Sequence, residues 1–553
     1  MSGRIVSVFP IKVALLPVAL AACAIAYAAP PAYKLTRLGR LGYEASDGHA
    51  INNSGQVMGS LYTAGPHVQT HTFFYDGATM FDIAPKPSGV FGNDINNRGE
   101  ITGSVVSEAF IYRNNQFIRI STPEFQFSTA FDINDLGQVI GYVNGPGIVQ
   151  DSTYIYDRGK VTILPTGPFI HLFPTAINNR GQATGLGAKF PGENGFLYSN
   201  GTTIDIGTVA GGRTSRPFAM NESGEITGVY TAVNERSKAF RYSSGVIRDL
   251  GTLGGNESIG FGINSSGDVV GHAQLADGHF HAFVHKDGKM VDLGALDKTD
   301  SDASTITNNG IVAGVAMDGT LGSDVFGNAV FIYGVDGKIT HDLDDLISPS
   351  DPLQPFVHLY DVGFTRSVNA LGQVLANGID SRTSQTHTYI ASPIDSTKPV
   401  IVSKRVGTKG TNGWFTSDVS LSWTVMDAEA PVADTSGCGS SNVTHNTAGK
   451  EFTCRAISIG GTTSKTVTIK RDTSVPTVTI TKPAGGATYD RDAVVVANYN
   501  CADSPSGIAT CKGTVPDGAP IDTSKAVTNG TFQVIATDKA GISRIATKTY
   551  SVR

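Results

Sequence analysis

A nine-residue phrase that returns eight times constrains this chain more than any other feature. It first reads Ile51-Asn52-Asn53-Ser54-Gly55-Gln56-Val57-Met58-Gly59 and recurs at 95–103, 133–141, 177–185, 220–228, 263–271, 306–314 and, degraded, at 368–376. Measured at its second residue (Asn52, Asn96, Asn134, Asn178, Asn221, Asn264, Thr307, Asn369), the steps are 44, 38, 44, 43, 43, 43 and 62 residues; the last contains an insertion around 343–360. The phrase has the chemistry of a tight turn. An apolar residue ends a strand, Asn opens a type I turn through its side chain, two polar residues cross it, and Gly takes the left-handed position before the chain returns. A second hairpin follows in each unit, as in His71-Thr72-Phe73-Phe74-Tyr75-Asp76-Gly77 then Met80-Phe81-Asp82-Ile83, because an Asx-Gly turn between alternating apolar residues reverses a strand. One unit is four short strands.

Four strands in about 43 residues is the size of a propeller blade; a solenoid coil is shorter, and a helical repeat carries a 3.6-residue period. The expected fold is all-β, an eight-bladed β-propeller, with seven blades and a degenerate unit as the alternative. The ends support a ring. The eighth unit lacks a fourth strand after His387-Thr388-Tyr389-Ile390, while Tyr33-Lys34-Leu35-Thr36-Arg37-Leu38-Gly39 matches the fourth strand of other units, such as Val246-Ile247-Arg248-Asp249-Leu250-Gly251. Pairing the first strand with the last unit would remove an open sheet edge.

The unit resembles the bacterial extracellular HAF-repeat family, named from the tripeptide at the third strand, here His281-Ala282-Phe283, with Asp249-Leu250-Gly251-Thr252-Leu253-Gly254-Gly255 and Ile263-Asn264-Ser265-Ser266-Gly267 around it. The resemblance covers 33–393 and implies an exported protein of unsettled activity. Several units depart from it: the His becomes Glu108, Asn194 or Lys238, and the Leu-Gly-Thr-Leu-Gly-Gly phrase is lost from the third.

At Asp395-Ser396-Thr397-Lys398-Pro399 the repeat stops, and a similar start, Asp472-Thr473-Ser474-Val475-Pro476, returns 77 residues later. Two modules are expected, 396–471 and 472–553. Their alternating strands (Val419-Ser420-Leu421-Ser422-Trp423; Val494 to Tyr499) resemble bacterial immunoglobulin-like β-sandwiches, which by analogy serve as stalks or adhesive spacers. Four cysteines lie here and none in the repeats. Three connectivities are formally open, and the expected one pairs neighbours, Cys438 with Cys454 and Cys501 with Cys511, as suits small modules in an oxidising compartment.

Residues 1–28 read as a signal peptide: Arg4 and Lys12, an apolar run, then Ala26-Tyr27-Ala28 before the cut. Leu20-Ala21-Ala22-Cys23 also fits a lipid-modified cysteine, so a lipid anchor at Cys23 is the alternative. The chain is expected to be secreted, periplasmic or on the cell surface, with no transmembrane helix after signal removal. Of 553 residues only 16% are charged, with net charge -6, which supplies no basic excess for phosphates and argues against nucleic acid as partner.

Candidate chemistry is sparse. His279, His281 and His285 alternate along one strand and are a metal candidate; the competing reading makes His281, like His71 and His387, a structural hydrogen bonder. Asp427 and Asp503 are calcium candidates, with turn-forming Asp as the competing reading. Trp423 aligns with Tyr499 as core, whereas Trp414 leaves sugar stacking open. The glycines of 251–255 recur as a blade connection and do not suit a phosphate. The insertion at 343–360, with Asp342, Asp344, Asp345 and Asp351 at hand, is the expected place for an added function. No nucleophile elbow, phosphate loop or His-Glu zinc motif occurs, so no catalytic or cofactor-binding residue is assigned. The expectation is an exported, non-enzymatic binding or adhesion protein with a glycan or protein ligand; the alternative is an extracellular polysaccharide hydrolase or lyase at the propeller channel.

Overall fold

A computed structural model describes residues 30–553 except 64–69, 84–88, 121–125, 146–151, 234–235, 320–326, 336–339 and 364–365. The signal peptide and Cys23 lie outside the described residues. The chain is all-β, with one short helix (Leu343–Leu346) among the described residues.

The repeat forms eight four-stranded antiparallel sheets, each ordered as the chain runs. Blade 1 consists of Ala45–Ile51, Val57–Tyr62, Thr70–Tyr75 and Met80–Asp82; blade 6 of Gly254–Ile263, Val269–Leu275, Phe280–Lys286 and Lys289–Gly294. Blade 8 is the exception. Its strands Val357–Val362, Val374–Asp380 and Gln385–Pro393 are completed by Tyr33–Gly39, which pairs antiparallel with the third from Tyr33 opposite Pro393 to Arg37 opposite Tyr389. The first strand thus closes the last blade, as expected, and a ring of eight results.

The first strands are innermost, since those of successive blades lie against one another. Each carries a bulge just before its turn, between Gly48 and Ala50 in blade 1 and Gly260 and Gly262 in blade 6. The bulge gives the last glycine of the phrase its meaning: a Cβ on Gly271 would collide with the Ile259 carbonyl oxygen of the bulged strand.

Two hydrogen-bond systems join the blades. In the first, each Asn of the phrase donates Nδ2 to the carbonyl of its counterpart in the next blade: Asn52 to Asn96 (2.9 Å), Asn96 to Asn134 (2.9 Å), Asn134 to Asn178 (2.8 Å), and onward through Asn178, Asn221 and Asn264. Asn369 closes the circle on the Asn52 carbonyl at 2.9 Å. Only Thr307 lacks an amide to donate, and there Asn309 Nδ2 reaches the Ala370 carbonyl instead, at 3.0 Å. In the second, a buried serine on a first strand clamps the outer strands of the preceding blade. Ser258 Oγ accepts from Ala239 N (2.9 Å) and donates to the Gly251 carbonyl (2.6 Å); Ser128, Ser215 and Ser301 repeat the pattern. Gly251 therefore serves a blade junction.

The modules after the ring are two-sheet sandwiches. In the first, Phe415, Val467 and Ile469 of one sheet meet Val419, Leu421 and Val443 of the other. Cys438 is bonded to Cys454 and Cys501 to Cys511, as expected. No helix among the described residues is long and apolar enough to cross a membrane.

Candidate functional site

The channel through the ring gathers more unusual chemistry than any other part of the described surface. Along each innermost strand buried residues alternate with exposed ones, and since neighbouring blades cover both faces of a sheet, the exposed phase faces the axis. In blades 2 to 4 that phase is aromatic: Phe91 is 51% exposed, Phe131 42%, Phe173 40% and Phe127 39%. Phe173 stacks on Tyr142 at 5.7 Å between ring centroids, and Phe218 of blade 5 on Phe261 of blade 6 at 5.8 Å. A run of exposed phenylalanines is unusual, since large apolar side chains are normally buried unless they meet a partner.

Across the ring, blades 7, 8 and 1 place carboxylates and a phenol in the same phase: Asp302, Tyr360, Asp361 and Asp47. Burial, with the Asp361 charge beside it, pushes the Asp47 carboxyl up to about 6, while Asn377 opposes the shift by hydrogen bonding. Burial, with Asp47 and Asp361 close by, raises the Tyr360 phenol to about 12. The channel is thus amphipathic, aromatic on one wall and acidic on the other.

Toward the turn side a cation reaches across the channel. Arg366 of blade 8 places Nη2 3.2 Å from Asp94 of blade 2 and 3.7 Å from Asp132 of blade 3. Asp94 is nearly inaccessible, and burial together with the neighbouring Asp132 charge raises its carboxyl despite Arg366. Beyond this bridge lies a cavity of about 690 Å³, walled by the turn ring and roofed by Ala433, Asp434 and Ile457 of the first module. Asn309 Nδ2 ties ring to roof through the Val432 carbonyl (3.1 Å).

The residues singled out from sequence fare unequally. The three histidines do not converge on a metal: His279 faces Asp300 (3.3 Å), His281 faces Asp292 (2.9 Å), and burial, with the Arg241 charge nearby, lowers the pKa of His285. His281 is instead a cross-strand partner of the fourth-strand Asp, and so is His71 with Asp82 at 3.1 Å. Three blades that depart from His keep a pair: Asn194 with Asp205, Lys238 with Asp249, and Glu108 with Arg119 in reversed polarity. Blade 8 does not. There the fourth-strand position is Arg37, bound to Asp380 (3.4 Å), and His387 Nδ1, buried, has no hydrogen-bond partner. Burial and the charges of Arg37 and Arg40 lower His387 to about 4.

Trp414 is buried, which removes it as a sugar platform; it opens a strand that pairs parallel with the last strand of its module. Trp423, partly buried, packs against the core of its module. The insertion is a strut rather than an added site. Asp342 caps the short helix, Asp344 pairs with His358 (2.8 Å), and Asp351 Oδ2 accepts from Leu35 N of the closing strand (2.7 Å). Asp503 stands with Asp472 and Asp538, their carboxylate oxygens within 4.8 Å of one another, whereas Asp427 belongs to no such group of three among the described residues.

The channel residues escaped the sequence reading because a phenylalanine in an alternating strand reads as core. The signal lies in the comparison of units: the third residue before each phrase Asn is His49, Asn93, Phe131, Thr175, Phe218, Phe261, Ser304 and Arg366 in turn, a position varying in size and charge between nearly constant neighbours.

No family model matches the sequence, and no curated protein does. Among solved structures, the chain is similar to the β-propeller domain of the trilobed protease from Pyrococcus furiosus, at 12% identity and TM-score 0.36, over 59% of this chain and 98% of that one. It is also similar to a Mycobacterium tuberculosis puromycin-hydrolyzing peptidase, at 10% identity and TM-score 0.37, spanning 64% of this chain and 62% of that chain. A third is YCF48 bound to D1 peptide, at 12% identity and TM-score 0.31, over 66% and 100%. The propeller assignment rests on the sheet order and ring closure of the chain itself.

Proposed function

We propose that this is an exported binding protein of the HAF-repeat kind, whose propeller takes a glycan or protein ligand at its channel while two immunoglobulin-like modules hold the ring away from its point of attachment or add adhesion. The observation that carries the reading is the exposed phenylalanine wall of blades 2 to 4 set across from the carboxylates of blades 7, 8 and 1. Aromatic faces supply apolar contact area at low entropic cost, and carboxylates accept hydrogen bonds from hydroxyls or amides; together they suit a ligand with both apolar faces and polar edges. The open mouth lies opposite the first module, so a ligand would enter where Phe91, Phe127 and Phe173 stand.

A second reading has a specific observation behind it. Asp94 and Asp132 come from different blades, and one of the two is pushed toward its protonated form beside the other, an arrangement that acid-base hydrolysis of a polysaccharide employs. A screen of the mature protein on a glycan array, with chromatographic analysis of every bound glycan after incubation, separates the two. Specific binding with the glycan recovered intact supports the binding protein; shortened or unsaturated products that vanish in Asp94→Asn would replace it with the enzyme.

A further inference from the structure

Where the two C-terminal modules meet, three carboxylates stand together without a counter-charge. Asp472 directly follows the last strand of the first module (Gly461–Arg471), Asp503 lies in the turn after Asn498–Ala502, and Asp538 ends Val527–Asp538. Each is held from behind by donors. Asp472 Oδ2 accepts from Ser506 N (3.0 Å) and its Oδ1 from Ser474 N (2.8 Å). Asp503 Oδ2 accepts from Ser506 Oγ (2.9 Å) and Gly507 N (3.1 Å), and Asp538 Oδ1 accepts from Ile542 N (2.9 Å). The two remaining oxygens, Asp503 Oδ1 and Asp538 Oδ2, are buried with no hydrogen-bond partner, and Asp538 as a residue is only 1% exposed. None of the three pairs with a Lys or Arg among the described residues, and the neighbouring charges act on Asp538 only as repulsion.

Orphaned anionic oxygens in a buried cluster are too costly to persist unless something binds them. The first module shows the same place with one carboxylate fewer, where a single oxygen, Asp427 Oδ2, is buried without a partner. Its counterparts are Asp395, Asp427 and, at the end of Thr447–Ser458, Ser458. Ser458 donates Oγ to Asp395 Oδ2 (2.9 Å), and Gly460 N donates to the same oxygen (2.8 Å). There a hydroxyl donor stands where the second module has a third carboxylate.

We propose that the junction between the two modules binds a calcium ion, with Asp472, Asp503 and Asp538 as its protein carboxylates. Hard oxygen donors in a protein-built cage favour calcium, which accepts six to eight oxygens in irregular geometry, over magnesium, which demands a near-octahedral shell and keeps most of its water. The ion would do more than fill one module. The turn after Asp538 is already docked on the first module, where Thr411 Oγ1 donates to the Lys539 carbonyl (2.8 Å) and Thr411 N to the Ala540 carbonyl (2.9 Å). Calcium bound there fixes the end of one module, a loop of the next and the turn that leans back on the first, and so stiffens the pair.

The test uses the mature full-length protein stripped with EDTA, titrated with CaCl2 by calorimetry and then melted with and without the metal. One calcium per chain and a rise of about 5 °C in the transition of the C-terminal modules are expected. Asp538→Asn should weaken calcium binding at least tenfold, and Asp503→Asn likewise. In EDTA the Asp538→Asn protein should melt no lower than the parent, because the change relieves repulsion; a residue holding only a structural hydrogen bond would instead melt lower in both conditions. A parent that takes up no calcium, binding undiminished in both variants, or an equal shift with MgCl2 would each overturn the proposal.

Discussion

Asn134 uses every hydrogen-bonding atom it has. Its Oδ1 accepts from Leu136 N and Gln138 N, and its Nδ2 donates to Gln138 Oε1 and to the Asn178 carbonyl of the next blade. Asp would lose both donors and Gln would overreach, so the amide is fixed by geometry rather than by turn preference alone. Asn134→Ala is therefore expected to cost about 2–3 kcal/mol, since it strands buried backbone groups in two blades, and chemical denaturation would measure it. Gly267 has φ +80°, and a Cβ there would strike the Arg241 guanidinium and approach Glu225 Oε2 to 2.7 Å. Gly267→Val should destabilise the ring by a few kcal/mol, while unchanged melting would refute the turn assignment. His387 makes the pH prediction. Its folded pKa of about 4 lies below the unfolded value near 6.5, so between those values the unfolded chain takes up a proton that the folded one refuses. Its contribution to stability is intact above pH 6.5 and is lost as pH falls toward 4, by up to roughly 3 kcal/mol. Asp47 and Asp342, each raised to about 6 by burial, act with the opposite sign. The clean measurement is thus the difference between the parent and His387→Asn, which should shrink as the solution is acidified from pH 7 to 4.5.

At the scale of the element, the closing strand is the point where local preference gives way to topology. Tyr33–Gly39 carries Tyr33 and Leu35 into the largest core cluster, pairs with the third strand of blade 8, and is tied to the insertion where Leu35 N donates to Asp351 Oδ2 and the Tyr33 carbonyl accepts from Ser348 N. Deleting 33–39 should lower the melting temperature far more than loss of a surface strand does; melting at the parent temperature would argue for an open array. This pairing was legible in the sequence because the strand matched the fourth strands of other units. The insertion was legible as a break in spacing but not as a strut, because its acids resemble a solvated loop until their partners, some more than three hundred residues away, are brought beside them. The third-strand histidine was read as a structural hydrogen bonder; His71 and His281 pair with Asp82 and Asp292, whereas His387 Nδ1 in blade 8 has no such partner. The compensated pairs Glu108 with Arg119 and Lys238 with Asp249 show why departures from the repeat cost the blade little.

For the whole molecule, repetition made the ring readable and concealed its channel. Eight copies of one turn dictate eight blades, and a tie from each Asn or its stand-in to the next blade dictates a circle. The residues that face the axis are those in which the copies disagree, and their shared surface exists only once the ring has closed. Neither Phe91 and Phe173 nor Arg366, Asp94 and Asp132 are near one another in sequence, so no spacing rule could unite them. The measurement that tests the binding channel most directly compares the parent with Phe91→Ala/Phe173→Ala for affinity toward whichever array ligand the parent retains. Both side chains are substantially exposed, so the double variant should melt within a few degrees of the parent while binding at least tenfold more weakly. A variant that binds as tightly as the parent would place the ligand elsewhere and contradict the channel as the binding site.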